Sequence, residues 1–283
     1  MILWQALIVF VAAFVAGLMN SVAGGGTLLT FPTLLWIGRD PIIANATNTV
    51  ALWPGSLAGM VGFRRELRAG GGALLPLVVP SLLGGVTGAF LLLRTPSRTF
   101  AAIVPYLILF ATLLFAAQEP LTRRLHRRMH APRHATAAPT PERDATAAVD
   151  PVQHAGADVH ALGPAWWAGA VVFQFLVAVY GGYFGAGIGI LMLAALGLLG
   201  LTDIHHMNGL KNLFAFCING IAAVYFGAWG AVGWGDGVVM AAGAIAGGYG
   251  GAGLARRLGR RFVRRTVVVI GVAMAVSLLL RQR

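Results

Sequence analysis

Asn20-Ser21-Val22-Ala23-Gly24-Gly25-Gly26-Thr27 interrupts an otherwise apolar sequence with small polar residues and three consecutive glycines. Before it lies an uncharged apolar run from 2 to 19, and after it a shorter one from 26 to 37. An irregular backbone between apolar segments exposes N–H and C=O groups that lipid cannot satisfy. It is tolerated at membrane depth only where protein or a water-filled cavity satisfies them. The stretch therefore predicts a broken membrane segment rather than a simple loop.

The surroundings agree. Of 283 residues, 58% are hydrophobic and only 11% charged, with a mean hydropathy of +0.77, too little polar surface to cover a soluble globule. Apolar segments run over 2–19, 26–37, 41–63, 70–93 and 98–117, then over 164–183, 187–200, 204–227, 231–255 and 266–280. Most approach the roughly 20 residues that cross a hydrocarbon core of about 30 Å. The second segment of each set is too short to do so, and predicts a half-helix or the arm of a re-entrant hairpin. The N-terminal segment lacks the positive flank of a cleavable signal peptide and is expected to stay. The single cysteine, Cys217, excludes an intrachain disulfide.

A shift of 163 places superposes the two sets: Ala23-Gly24 on Ala186-Gly187, Gly26 on Gly189, Asp40 on Asp203, Phe63 on Phe226, Gly84-Gly85 on Gly247-Gly248, and Arg94 and Arg98 on Arg257 and Arg261. A register held over such a distance predicts an internal repeat. Arginine placement gives the orientation. Arg64, Arg65 and Arg68 make one loop basic, while its counterpart from Gly227 to Asp236 has no Lys or Arg; six arginines between Arg256 and Arg265 face only Arg94 and Arg98 in theirs. By the positive-inside rule the basic loops and the central linker are cytoplasmic and both termini lie outside. The expected fold is thus an all-α polytopic membrane protein of two inverted-topology repeats, 1–117 and 164–283, of about five segments each. A parallel repeat is the alternative, and it would put the C-terminus in the cytoplasm.

Residues 118–163, rich in Pro, Ala, Thr, His and Arg, read as a flexible cytoplasmic linker. His126, His130 and His134 recur every fourth residue, but Pro132 interrupts a helix there and no Cys or nearby carboxylate completes a set, so neither metal nor cofactor is expected. The net charge of +12 is scattered in short clusters between apolar runs, which reads as topology signal and not as a nucleic-acid surface.

Inverted repeats with paired helix breaks point to a secondary transporter whose ligand sits between the halves. Helix N-termini at the breaks would direct N–H groups and a positive dipole end at an anion. Candidate substrate-binding residues are Asn20, Ser21, Gly24, Gly25, Gly26 and Thr27 at the first break, Gly187 and Gly189 at the second, and two polar clusters. The first cluster is Asn45, Thr47 and Asn48; the second is Asn208, Lys211 and Asn212, on one helical face at i, i+3, i+4. Lys211 is the sole lysine in the chain, about two turns inside an apolar segment where a charge needs a cavity or a partner. Asp40, followed by Pro41, and Asp203 read as helix N-caps.

The run Ala23-Gly-Gly-Gly-Thr-Leu-Leu-Thr-Phe-Pro32, followed by Ala44-Asn-Ala-Thr-Asn-Thr49, resembles the sulfite exporter TauE/SafE family. The resemblance spans both hydrophobic halves and implies a transporter of small organosulfur anions or sulfur oxyanions such as sulfite, sulfonates or sulfoacetate, in a bacterial inner membrane. Two departures stand out: Ile188 and Ile190 break up the second glycine run, and Lys211 stands where a small hydroxyl residue is expected. Two other readings are a non-transporting membrane subunit and an intramembrane enzyme. The enzyme reading lacks support, since Ser21, Ser56, Ser81 and Cys217 have no evident His partner. The expected partners are the small anion and the bilayer, with a homo-oligomer left open.

Overall fold

In the computed structural model, residues 2–22, 25–62, 64–69, 74–129, 164–199, 201, 203–250 and 260–281 are described. The elements among them are helical: α1 (Leu3–Val22), α2 (Thr27–Trp36), α3 (Pro41–Gly62), α4 (Arg64–Ala69), a 3-10 turn (Leu75–Leu77), α5 (Val78–Arg94), α6 (Ser97–Met129), α7 (Pro164–Tyr183), α8 (Ile188–Leu198), α9 (Ile204–Ala228), α10 (Trp234–Gly250) and α11 (Arg260–Arg281). Among the described residues, five stretches are long and apolar enough to cross a bilayer: Leu3–Asn20, Leu75–Arg94, Ser97–Ala117, Ala165–Tyr183 and His206–Ala228. The chain is a polytopic, all-helical membrane protein.

The short second segments are short helices. α2 has 10 residues and α8 has 11, which at 1.5 Å per residue gives about 15 Å, half of a hydrocarbon core. α3 is long enough at 22 residues but Asn45, Thr47, Asn48 and Thr49 leave it too polar to be among the five; all four are buried in protein rather than turned to lipid.

Two helix ends differ from the hydropathy reading. α6 continues to Met129, beyond the apolar limit at 117, and α11 starts at Arg260, inside the basic run. Arginine is a good helix former, so a helix continues past the point where lipid-facing sequence stops. Residues 130–163, with His130 and His134, lie outside the described residues, as do 251–259.

Glycine sets the tightest packing, as in membrane interiors where backbones approach closely for lack of a hydrophobic drive between helices. A Cβ on Gly247 of α10 would stand 1.9 Å from the Phe14 carbonyl oxygen of α1, and one on Gly243 would stand 2.6 Å from that of Phe10. The numbering rises together, so α1 and α10 run parallel. Likewise a Cβ on Gly84 of α5 would meet the Phe175 carbonyl of α7 at 2.6 Å, and one on Gly88 that of Val179 at 2.1 Å. Gln174 Nε2 donates to Ser81 Oγ along the same seam at 2.8 Å, so α5 and α7 are parallel as well. The segments before and after the central stretch therefore interlock, each giving one helix to the other's face. α3 packs on α9, and α6 on α11.

Candidate functional site

The two breaks meet inside this interlock. Phe31 of α2 and Phe184, at the end of α7, are both fully buried and pack edge to face with ring centroids 5.3 Å apart.

At the first break, Asn20, in the last turn of α1, accepts at its side-chain Oδ1 from the Gly26 N–H at 2.9 Å. This N–H, expected to be free for a ligand, is therefore already used. Gly25 has φ +87°, open to glycine at little cost, and a Cβ there would lie 2.8 Å from the Phe115 ring. Thr27 opens α2 and is half-buried. One turn on, the Thr30 hydroxyl lies between the Gly26 carbonyl, 3.1 Å away, and Asn48 Oδ1 of α3. Ser21 falls in α1, but its side chain is not among those described, and Gly24 is outside the described residues.

The α3 cluster does not form one ligand face. At about 100° per residue, Asn45 and Thr47 point to nearly opposite sides of a helix. Asn48 holds α2 of its own half. Thr47 Oγ1 accepts from the Gly233 N–H just before α10 at 2.9 Å. Asn45 reaches the second break, its Nδ2 donating to the Tyr183 carbonyl at 3.0 Å, while its Oδ1 is buried without a hydrogen-bond partner. Asp40 caps α3 as expected, Oδ1 accepting from Ile42 N at 2.9 Å and Ile43 N at 3.2 Å.

The second break is built differently. Gly185 and Gly187 take φ +79° and +80°. Tyr180 donates its hydroxyl to the Ala186 carbonyl at 2.6 Å, pinning the break from α7. Tyr183 stands 163 places after Asn20, so no side-chain amide caps Gly189 as Asn20 caps Gly26. Instead the aliphatic stem of Lys211 crosses over Gly189, whose Cβ would lie 3.2 Å from Lys211 Cδ. Lys211 makes no ion pair among the described residues. Asn208, Lys211 and Asn212 are half-buried together on α9.

Sequence reasoning missed Thr30, Tyr180 and the tie between Arg39 and Asp236. Arg39 Nε lies 2.6 Å from Asp236 Oδ2 and Nη2 lies 3.1 Å from Oδ1, a bidentate pair. The sequence shows two charges on opposite sides of the chain but nothing that pairs them.

The sequence decides the family. Residues 9–278 match the profile described as "Sulfite exporter TauE/SafE". The chain belongs to the sulfite exporter TauE/SafE family. Similar members include "Probable membrane transporter protein ORF9" of Sinorhizobium sp, 26% identical, covering 95% of this chain and 90% of that one. A "Probable membrane transporter protein" of Haemophilus influenzae is 27% identical, with 97% and 94% covered. "Probable membrane transporter protein YfcA" of Escherichia coli is 27% identical, with 96% and 88% covered. No solved structure matches. As a TauE/SafE protein of nearly the same extent as these relatives, the chain is a multi-pass membrane transporter, which is consistent with a non-enzymatic role.

Proposed function

We propose that the protein carries a small sulfur-containing anion, sulfite or an organic sulfonate, across the bacterial inner membrane by alternating access, with no chemical change to it. The observation that carries this reading is Lys211. A lone cation inside a membrane span is costly without a partner, and here it lies at the positive N-terminal end of α8, where a helix attracts an anion. Asn208 and Asn212 flank it, and the Gly187 and Gly189 backbone allows close approach. Asn45 lends an amide from the other half. Asn20, Gly25, Gly26, Thr27 and Asn48 form the facing half, which holds the walls in place more than it holds charge, while Thr47 turns away to Gly233.

Alternating access needs two halves that can rock, and inverted repeats supply them. Trp53 and Phe216 are 163 places apart and touch, with Trp53 Nε1 donating to the Phe216 carbonyl at 3.2 Å and the rings stacked at 5.5 Å. Contact between repeat equivalents is what a local two-fold axis produces. Direction supports inversion. α3 starts where α10 starts, through Thr47 and Gly233, and α1 runs parallel to α10. α5 ends at that same end, where Thr95 meets Tyr183 and the Tyr183 carbonyl accepts from Asn45, so α5 opposes α1, while α7, the repeat equivalent of α1, runs parallel to α5. With the basic loops inside, both termini then face out.

Uptake or efflux in proteoliposomes tests the reading. Sulfite or a sulfonate should move and compete with its analogues, and Lys211→Ala should cut the flux at least tenfold in protein that remains monodisperse. Unchanged flux in that variant would remove Lys211 from the site. No flux of any sulfur anion tested would defeat the proposal.

A further inference from the structure

The Arg39–Asp236 pair joins two different parts of the chain at one end of the molecule. Arg39 follows directly on α2: its N–H donates to the Leu34 carbonyl at 3.0 Å, and Gly38 turns the chain with φ +85°. Asp236 sits in the first turn of α10, with its side chain only 8% exposed. Each charge is placed at the helix end that favours it, a cation after a C-terminus and an anion at an N-terminus. The contact thus ties the C-terminal end of α2 to the N-terminal end of α10. Thr47 bonds to Gly233 behind it, between the same two parts of the chain.

α2 links this closure to the break. Its first turn is held by Asn20, and Thr30 meets Asn48; its far end, about 15 Å away, carries Arg39. A rigid short helix transmits a tilt at one end to the other. The repeat has no second copy of this device, because the positions equivalent to Arg39 and Asp236 are Thr202 and Ala73, which cannot form an ion pair.

We propose that Arg39 and Asp236 form a one-sided gate: the ion pair closes the end of the transporter at the N-termini of α3 and α10, and α2 opens it when the break changes shape. The proposal rests on the alternating-access reading, and it makes the two ends of the cycle energetically unequal.

Cysteine accessibility tests it on the intact protein. In a Cys217→Ser background, Gly237→Cys supplies a reporter one residue behind Asp236. Its side chain fits, since a Cβ there meets nothing nearer than Thr47 Cγ2 at 3.6 Å. Leu77→Cys, buried in the 3-10 turn that leads into α5, serves as the second reporter. With the pair intact, a membrane-impermeant maleimide should label 237 slowly. Arg39→Gln and Asp236→Asn should each raise that rate at least tenfold and leave 77 unchanged or slower. If a single variant does not fold, Arg39→Gln combined with Asp236→Asn carries the test, because it leaves no unpaired charge.

A rate at 237 within twofold of the parent, or an equal rise at both reporters, overturns the gate. The assay needs no substrate. Faster labelling at 237 in a protein that moves no anion would leave the gate and sink the transport reading; anion flux with unchanged labelling would do the reverse.

Discussion

Gly247 and Gly55 are both helical glycines, yet they should respond oppositely to alanine. At Gly247 the added carbon would stand 1.9 Å from the Phe14 carbonyl oxygen, a backbone atom that cannot swing aside. Forcing α1 and α10 apart should cost about 1–3 kcal/mol, as overpacking of a close-packed interior does. At Gly55 nothing lies within 4 Å, so alanine there should be neutral or stabilise by about 0.5–1 kcal/mol through helix propensity. Thermal denaturation of the two purified variants in one detergent checks both. Lys211 belongs to the same scale: its isolation inside an apolar segment is visible in the sequence, while its place over Gly189 is not.

Among the elements, α2 is tied at three points, by Asn20 at its start, by Thr30 to Asn48, and by Arg39 beyond its end. Asn20→Ala leaves the buried Gly26 N–H without its acceptor and should cost about 1–3 kcal/mol, the penalty of one unsatisfied buried donor. If the first break positions rather than binds, this variant should lose melting temperature while keeping the anion concentration for half-maximal flux within about twofold. A large rise in that concentration with unchanged stability would put Gly26 in direct contact with the anion instead. Tyr180→Phe should act differently, because the Tyr180 hydroxyl holds the Ala186 carbonyl at the second break. Flux should fall severalfold in folded protein, and stability should change by no more than one hydrogen bond. The sequence marked both breaks by their glycines. It could not show that one is capped and the other pinned, because Asn20 and Tyr180 act on neighbours that only the folded turn brings close.

For the whole molecule, inverted halves predict that tags at both termini are reached by an impermeant reagent from the same side. Accessibility of the C-terminus from the opposite side would return the parallel arrangement. The parallel pairing of α5 with α7 also predicts that cysteines at Ser81 and Gln174, whose side chains meet at 2.8 Å on neighbouring helices, are joined within one chain by a short thiol-bridging reagent. A failure of that crosslink in folded protein would contradict the interlock.

Hydropathy, the glycine runs, the 163-residue register and the arginine distribution specify an all-helical membrane protein with two short helices at paired breaks, because each is a local property that lipid tests directly. The same residues carry the family, since its motifs lie in those breaks. The tertiary structure decided how the polar residues are used. Asn45, Thr47 and Asn48 look like one cluster in sequence, but helical geometry sends them to three different partners. Arg39 and Asp236, 197 residues apart, become a pair only when α2 and α10 are brought to the same end. Pairing across such a distance depends on which helices pack together, and in this protein glycine-to-backbone contacts fix that, which no single stretch of sequence displays.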